Sequence, residues 1–454
     1  MDHDARLDAL LDEMTLGEKL GQMAQIAKDS ITPAEIADLG IGSILSGGGG
    51  NPDSNDAAHW RAMVGEALEA ASGSRLGIPL VYGVDAVHGH NNVWGATIFP
   101  HQIGLGAAGD PDLARRVARA TAVEMTATGV RWDFSPCLAV PHDIRWGRTF
   151  EGFGRDPALV GLLGAAMVEG LQGSDHGPTA DPTSVLACPK HYVGDGAAEW
   201  GTARSIPWNS WWDIWPEWKI DHGDSTLDEK TFRRLHLAPY RPALEAGAAT
   251  VMASYSSWRG DKMHGHRYFL DDVLRNELGF RGLVVSDWMG IDQLDRDYRT
   301  CVVRSLNAGV DMVMVPLDHR RFLAEATAAV EDGDIPMSRI DSAVQRILRA
   351  KAALGLFDPE PGAPPPISAV GCEEHRRVAR EAARRSVVRL RDRGALPIPP
   401  GASVVVGGPA GDDVGYQCGG WTVEWYGAPG PITPGTTLLE GLREVRSGPV
   451  ARFA

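Results

Sequence analysis

Four apolar runs in this chain stop at residues that can do chemistry. Residues 283–286, Leu-Val-Val-Ser, read as a strand buried on both faces, and they give way to Asp287 and Trp288. Residues 78–84 stop at Asp85, residues 184–188 lead to Lys190 and His191, and residues 249–254 lead to Tyr255. A carboxylate at the C-terminal end of a buried strand must be held by partners or put to use, because an unpaired buried charge is costly. Taken alone, Asp287 reads equally well as the cap of the next helix. Several such ends converging on one rim are harder to explain by capping. Two loops add polar groups: one from Asp85 through His88, His90, Asn91 and Asn92, and one in which Arg145 and Arg148 flank a glycine.

Two chemistries suit these residue types. In the first, His88-x-His90, Lys190, His191 and Asp287 frame a two-metal hydrolytic site. Such a site needs further histidines on late strand ends, where Tyr255 and Pro316 stand instead. The H-x-H spacing is a weak signal, since loop histidines often bond only the backbone. In the second, the residues form a sugar site. Asp85, Arg148, Lys190 and His191 would bond hydroxyls, and Trp288, Trp421 and other tryptophans would lie against the apolar C–H faces of the rings. Asp287 would then be the group that attacks the anomeric carbon.

The elements that must position these residues alternate. Strands are predicted at 41–45, 78–84, 130–134, 184–188, 249–254, 283–286 and 310–315, with helices between them at 111–128, 156–171, 231–246, 268–278 and 319–332. Alternation implies βαβ units and a parallel sheet. Six or seven such units over this length predict an α/β fold, a (β/α)8 TIM-like barrel with its site at the C-terminal strand ends. A doubly wound sheet is the alternative, but no G-x-G-x-x-G dinucleotide fingerprint is present, and the run 47–50 of four glycines has no phosphate-loop spacing. Residues 5–28 read as a helix, with capping-box spacing at Thr15 and Glu18 for a second helical segment. A closing helix is predicted over 341–354, capped by Asp341 or Ser342. The barrel domain is placed at 1–357, a Pro-rich linker at 358–371, and the start of an α/β/α sandwich domain at 372–454. That last part holds a helix at 373–390, a strand at 403–406 and a loop from Tyr416 to Thr422, which is thin for a complete layer.

Composition narrows the partners. With 44 basic and 59 acidic residues, a net charge of −15 and no basic block, nucleic acid and anionic membrane are not expected as partners. Five cysteines stand singly, with no C-x-x-C pair, so neither a disulfide framework nor a zinc knuckle is predicted. The polar start, without an apolar leader, gives a cytoplasmic expectation, or a periplasmic or secreted one if the true N-terminus lies upstream. Self-association as a homodimer stays open. Five of the 14 tryptophans (Trp208, Trp211, Trp212, Trp215 and Trp218) crowd one stretch interrupted by Pro207 and Pro216, which suits neither a helix nor a plain strand.

The motifs together resemble a known family. Gly83-Val-Asp85-Ala-Val-His88-Gly-His90-Asn-Asn with Ile98-Phe-Pro-His comes first, followed by Arg145-Trp-Gly-Arg148 and Pro189-Lys190-His191-Tyr-Val-Gly-Asp195-Gly. Val251-Met-Ala-Ser-Tyr255-Ser-Ser-Trp258, Val285-Ser-Asp287-Trp288 and Tyr416-Gln-Cys-Gly-Gly-Trp421-Thr complete the series. This ordered set resembles glycoside hydrolase family 3, in its β-glucosidase and exo-β-glucanase branch, from about residue 10 to 440. The resemblance implies a barrel followed by an α/β/α sandwich, with the site between them. It implies Asp287 as catalytic nucleophile, and Asp85, Arg148, Lys190, His191 and Tyr255 as ligands of the sugar being cleaved off. Trp288 and Trp421 would clamp the next sugar, and no cofactor or metal is implied. The expected substrate is an oligosaccharide or glucoside that loses β-linked glucose from its non-reducing end.

The resemblance is incomplete in one respect. In this branch the acid/base is a Glu well beyond the Gly-Gly-Trp loop, and the chain reads as ending before it. A different branch, of β-N-acetylglucosaminidases, uses an Asp–His pair after its Lys-His motif, and Asp221-His222-Gly223-Asp224 is the nearest counterpart here, at a longer spacing. Glu199, Glu217 and Glu424 are weaker substitutes. The alternatives to a working glucosidase are therefore a sugar-binding remnant and a metal hydrolase on the same barrel.

Overall fold

The computed structural model describes residues 3–203, 219–359 and 362–453. The Trp-rich stretch with Trp208, Trp211, Trp212, Trp215 and Trp218, and Glu217 with it, lies outside the described residues.

Eight short parallel strands form a closed ring. They are β1 (Ala24–Ala27), β2 (Ser43–Ser46), β3 (Val81–Val84), β4 (Trp132–Asp133), β5 (Leu186–Ala187), β6 (Thr250–Met252), β7 (Leu283–Val285) and β8 (Val313–Met314). Regular ladders join β8 to β1 and run in order from β1 to β5, and another joins β6 to β7. Hydrogen bonds just outside the regular segments close the two remaining gaps. Met252 N–H donates to the Pro189 carbonyl at 3.2 Å, and Tyr192 N–H to that of Met252 at 2.7 Å, joining β5 to β6. Ser286 N–H donates to the Met312 carbonyl at 3.0 Å, joining β7 to β8. The predicted barrel is therefore present, with helices such as Pro111–Ala127, Pro157–Gln172 and His319–Glu331 between its strands. No described helix is long and apolar enough to cross a membrane.

Two expectations are corrected. Residues 5–28 are not one helical region. Helices His3–Glu13 and Leu16–Gln22, the second opened by the Thr15–Glu18 capping box, end before residues 24–27, which form β1. The apolar residues of β1 continue the helical spacing before them, but Ile26 pairs with Ile44 and Ala24 with Val313, and that long-range pairing decides. The closing helix runs Met337–Ala353 from an N-cap at Pro336, so Asp341 and Ser342 lie inside it. There Asp341 accepts a bond from Lys19 Nζ at 2.6 Å instead of capping.

Beyond the barrel, helix Glu373–Ser386 lies along Pro111–Ala127. His375 Nδ1 stands 2.7 Å from Glu124 Oε1, and Arg116 makes two bonds to Glu381 at 2.8 and 2.9 Å. Strands β9 (Val404–Val406) and β10 (Val450–Arg452) pair in parallel, with helix Leu438–Val445 between them. Part of the expected 416–422 loop is helical, at Val414–Cys418. The rest returns to the barrel rim: Asn91 Nδ2 donates to the Trp421 carbonyl at 2.8 Å, and Val423 N–H to that of Asn91 at 2.9 Å.

Candidate active site

The site follows from how the strands end. The barrel strands are mostly apolar and buried along their pairings, and the next residues turn up onto the rim. At β7 the turn is held from below. Ser286 Oγ accepts from Met314 N–H at 2.8 Å and donates to the Asp287 carbonyl at 3.0 Å. Asp287 N–H donates to His264 Nε2 at 2.9 Å. The Asp287 side chain is therefore fixed by its own backbone, with Oδ1 accepting from Trp288 N–H at 2.7 Å. It does not cap the following helix, Gly290–Gln293, whose N-cap is Met289. Oδ2 is buried and has no hydrogen-bond partner among the described residues.

The Asp287 residue lines a cavity of about 330 Å3. All eight residues singled out in the sequence line it: Asp85, Arg148, Lys190, His191, Tyr255, Asp287, Trp288 and Trp421. Lys190 Nζ donates to Asp85 Oδ1 at 2.6 Å and lies 5.4 Å from the centre of the Trp421 ring. Arg148 grips Glu151 with two bonds, at 2.6 and 2.9 Å, and its Nη2 donates to His191 Nε2 at 3.2 Å. With Nε2 accepting, the His191 Nδ1–H donates to Asp195 Oδ2 at 2.6 Å. His191 Nε2 is also 3.4 Å from Asp287 Oδ2, a contact without a proton in this tautomer. The Tyr255 hydroxyl donates to the Trp288 carbonyl.

Burial sets the protonation states. It pushes the His191 imidazole down to about 3, aided by the Arg148 guanidinium, so the ring is neutral at ordinary pH. Burial raises Asp287 above the usual carboxylate range, opposed by His191, Arg148 and Lys190. It also lifts Asp195 to about 8. For Glu151 burial acts upward, but the Arg148 partner prevails and holds the carboxyl down to about 2. A buried carboxylate oxygen that faces a cavity without a donor is chemically available as a nucleophile.

The histidines of the first loop do not face the cavity. His88 Nδ1–H donates to the Phe99 carbonyl at 3.0 Å, its Nε2 meets Thr422 Oγ1 at 3.2 Å, and its ring stacks on His101 with centroids 3.8 Å apart. His90 Nε2 meets Thr128 Oγ1 at 2.9 Å on another side. The two rings diverge and are spent on the protein, so the H-x-H pair frames no shared metal. Among the described residues, Cys137, His191 and Asp195 form the one compact cluster of metal-ligand types, and its His and Asp already share a hydrogen bond.

Sequence reasoning missed several neighbours. Trp425 and the glycine loop after β2 form one wall, where a Cβ on Gly48 would lie 2.7 Å from that of Trp425. Gly48, with φ +62°, therefore tolerates no side chain. Glu151, three residues after Arg148, could have been found by that spacing. Asp221 and His222, which the sequence did offer as an Asp–His pair, also reach the cavity. Asp221 Oδ1 accepts from Trp146 Nε1 at 2.7 Å, while His222 Nδ1 accepts from Gln293 Nε2 at 3.1 Å and its Nε2 stands 3.3 Å from Asp221.

This arrangement can be set beside known proteins. Residues 15–210 and 217–350 match the model of the glycosyl hydrolase family 3 N terminal domain. The chain belongs to glycosyl hydrolase family 3. A lysosomal beta glucosidase of Dictyostelium discoideum is 34% identical over 480 residues, covering 97% of this chain and 56% of that protein. The exo-1,3/1,4-beta-glucanase ExoP of a Pseudoalteromonas species superposes with a TM-score of 0.90 at 38% identity, covering 99% of this chain and 56% of that one. A beta-glucosidase of Listeria innocua, solved in complex with glucose, superposes at 0.83 and 28% identity, over 99% of this chain and 60% of that one. The family 3 chain described here thus spans little more than half the length of these relatives.

Proposed function

We propose that this family 3 chain carries the glycone-binding and nucleophilic half of a retaining β-glucosidase or exo-β-glucanase. The observation that carries the reading is the Asp287 carboxylate. It lines a cavity otherwise walled by held charges and indoles, and its Oδ2 is buried with no hydrogen-bond partner among the described residues. A glucosyl ring seated there would exchange hydroxyl bonds with Asp85, Lys190, Arg148 and His191. Tyr255 would stand beside Asp287, and Trp288 and Trp421 would flank the leaving sugar. Attack of Oδ2 on the anomeric carbon would break the glycosidic bond and leave a glycosyl ester on Asp287, which water then hydrolyses with net retention.

Retention needs a second carboxyl about 5–5.5 Å from the first, as proton donor and then base. Among the described residues, the other carboxylates on the cavity are engaged: Asp85 by Lys190, Asp221 by Trp146 and Asp29 by Lys28. His222 has both ring nitrogens directed at protein groups. The acid/base is therefore sought outside the described residues that line the cavity. The same engagement favours a second reading, a sugar-binding module without turnover.

A 2-deoxy-2-fluoro-β-glucoside with a dinitrophenyl leaving group separates the two, because a good leaving group departs with little protonation. Intact-mass and peptide spectra are expected to show a stable adduct on Asp287, absent from Asp287→Asn. Sugar binding with no adduct on the parent chain would leave the binding module standing and remove the nucleophile.

A further inference from the structure

A second cavity of about 540 Å3 adjoins the first, sharing Arg148, Asp221, Trp421 and Trp425 with it. Its remaining described walls include Arg145, Trp200 and Tyr426. The aromatic residues run outward in sequence. Trp421 and Trp425 have ring centroids 6.2 Å apart, and Trp425 and Tyr426 are 4.7 Å apart at 32°. Across the groove Trp200 is 50% exposed, a large apolar surface left toward water. It is not loose: the Arg145 guanidinium lies over its ring at 4.0 Å, and Asp143 holds that guanidinium through Nε at 2.9 and 3.0 Å.

We infer that this groove is an outer binding site for the reducing-end units of a β-linked glucooligosaccharide, beyond the sugar held between Trp288 and Trp421. The inference rests on the glucosidase reading of the inner cavity. Its occupant follows from continuity, since the groove shares Arg148, Asp221, Trp421 and Trp425 with the inner cavity, and a sugar chain extended past Trp421 would enter it. The lining suits sugar rings. Flat indole and phenol faces offer area to C–H patches at low entropic cost, and Arg145 and Asp221 offer charged partners to hydroxyls. A small aryl aglycone would end at Trp421 and leave the groove unused. The groove therefore selects for chains of three or more units over disaccharides.

Binding to the full chain carrying Asp287→Asn, which holds substrate without cleaving it, tests this by calorimetry with β-glucooligosaccharides of two to five units. Affinity is expected to rise by about tenfold from the disaccharide to the tetrasaccharide. Trp200→Ala in the same background abolishes that rise, and Trp200→Phe restores part of it, which rules out a folding defect as the cause. A flat dependence on length with intact disaccharide binding overturns the outer site alone, as does a rise that survives Trp200→Ala. If no saccharide binds at any length, the glucosidase reading falls and the outer site falls with it.

Discussion

At Asp287 burial and charge act against each other, and the balance can be measured. Burial raises the carboxyl above its ordinary value, while His191, Arg148 and Lys190 lower it less than burial lifts it. A folded value above the unfolded one means that the native state holds this proton more tightly. The stability so contributed is complete below the unfolded value and is lost as pH rises through the folded one. Once ionised, the carboxylate is therefore a cost to the fold. Asp287→Asn is expected to end turnover, by roughly 10^4-fold or more. It is also expected to raise the melting temperature at pH 7. The gain should vanish on acidification past the unfolded value, where the parent carboxyl is itself protonated. Melting curves of both proteins across that range check the sign, and a variant less stable than the parent at pH 7 would refute it. For the same reason the acidic limb of the pH–rate profile is expected to lie above the ordinary aspartate range.

At the scale of elements, the barrel is closed by a buried charge cluster under the strands, well away from the rim. Asp311, fully buried just before β8, takes Arg275 and Arg339 and Arg346, the last two at 3.0 and 3.1 Å, and accepts from Val284 N–H of β7 at 2.8 Å. Removing one member of a buried pair leaves uncompensated charge, so Asp311→Ala is expected to cost about 3–5 kcal/mol. The denaturant midpoint would show it, and a loss within the range of a surface substitution would mean that the cluster is not what joins β7 to β8. None of this was legible in the sequence, since the three arginines stand 36, 28 and 35 residues away. The strands carrying Asp85, Lys190, Tyr255 and Asp287 were legible, because each is an apolar run broken by one polar residue, and that break is local. β1 was not, because four residues after a helix carry too little periodicity to outweigh it, and only the partners Ile44 and Val313 make them a strand. Within the site the side chains that face the cavity could be read from motifs. Of their supports, Glu151 under Arg148 had a local signal in its three-residue spacing, whereas His264 under the Asp287 backbone, 23 residues away, had none.

For the molecule as a whole, one side chain links the barrel rim to the segment that follows the barrel. Asn91 is fully buried, its Nδ2 donates to the carbonyls of Asp85 at 2.9 Å and Trp421 at 2.8 Å, and its Oδ1 accepts from His88 N–H at 3.2 Å. It thus ties the strand end that carries Asp85 to the loop that carries Trp421, although Asn91 and Trp421 lie 330 residues apart along the chain. Asn91→Ala would leave two buried carbonyls and an N–H without this partner, at a cost of about 1–3 kcal/mol. The cost should fall unevenly. Asp85 keeps its bond to Lys190, and the barrel keeps its ladders, whereas the Trp421 loop keeps a few single ties: Trp425 N–H to Gly48 at 3.3 Å, Val423 N–H to the residue 91 carbonyl, and Thr422 Oγ1 with His88 Nε2 at 3.2 Å. Amide exchange is therefore expected to quicken over 419–425 while β1–β8 stay protected. Affinity for a disaccharide, whose second ring would lie against Trp421, should weaken more than affinity for glucose. Uniform loss of protection across barrel and loop would contradict this, and would mean that Asn91 supports the barrel core and not the junction where the two parts of the cavity meet.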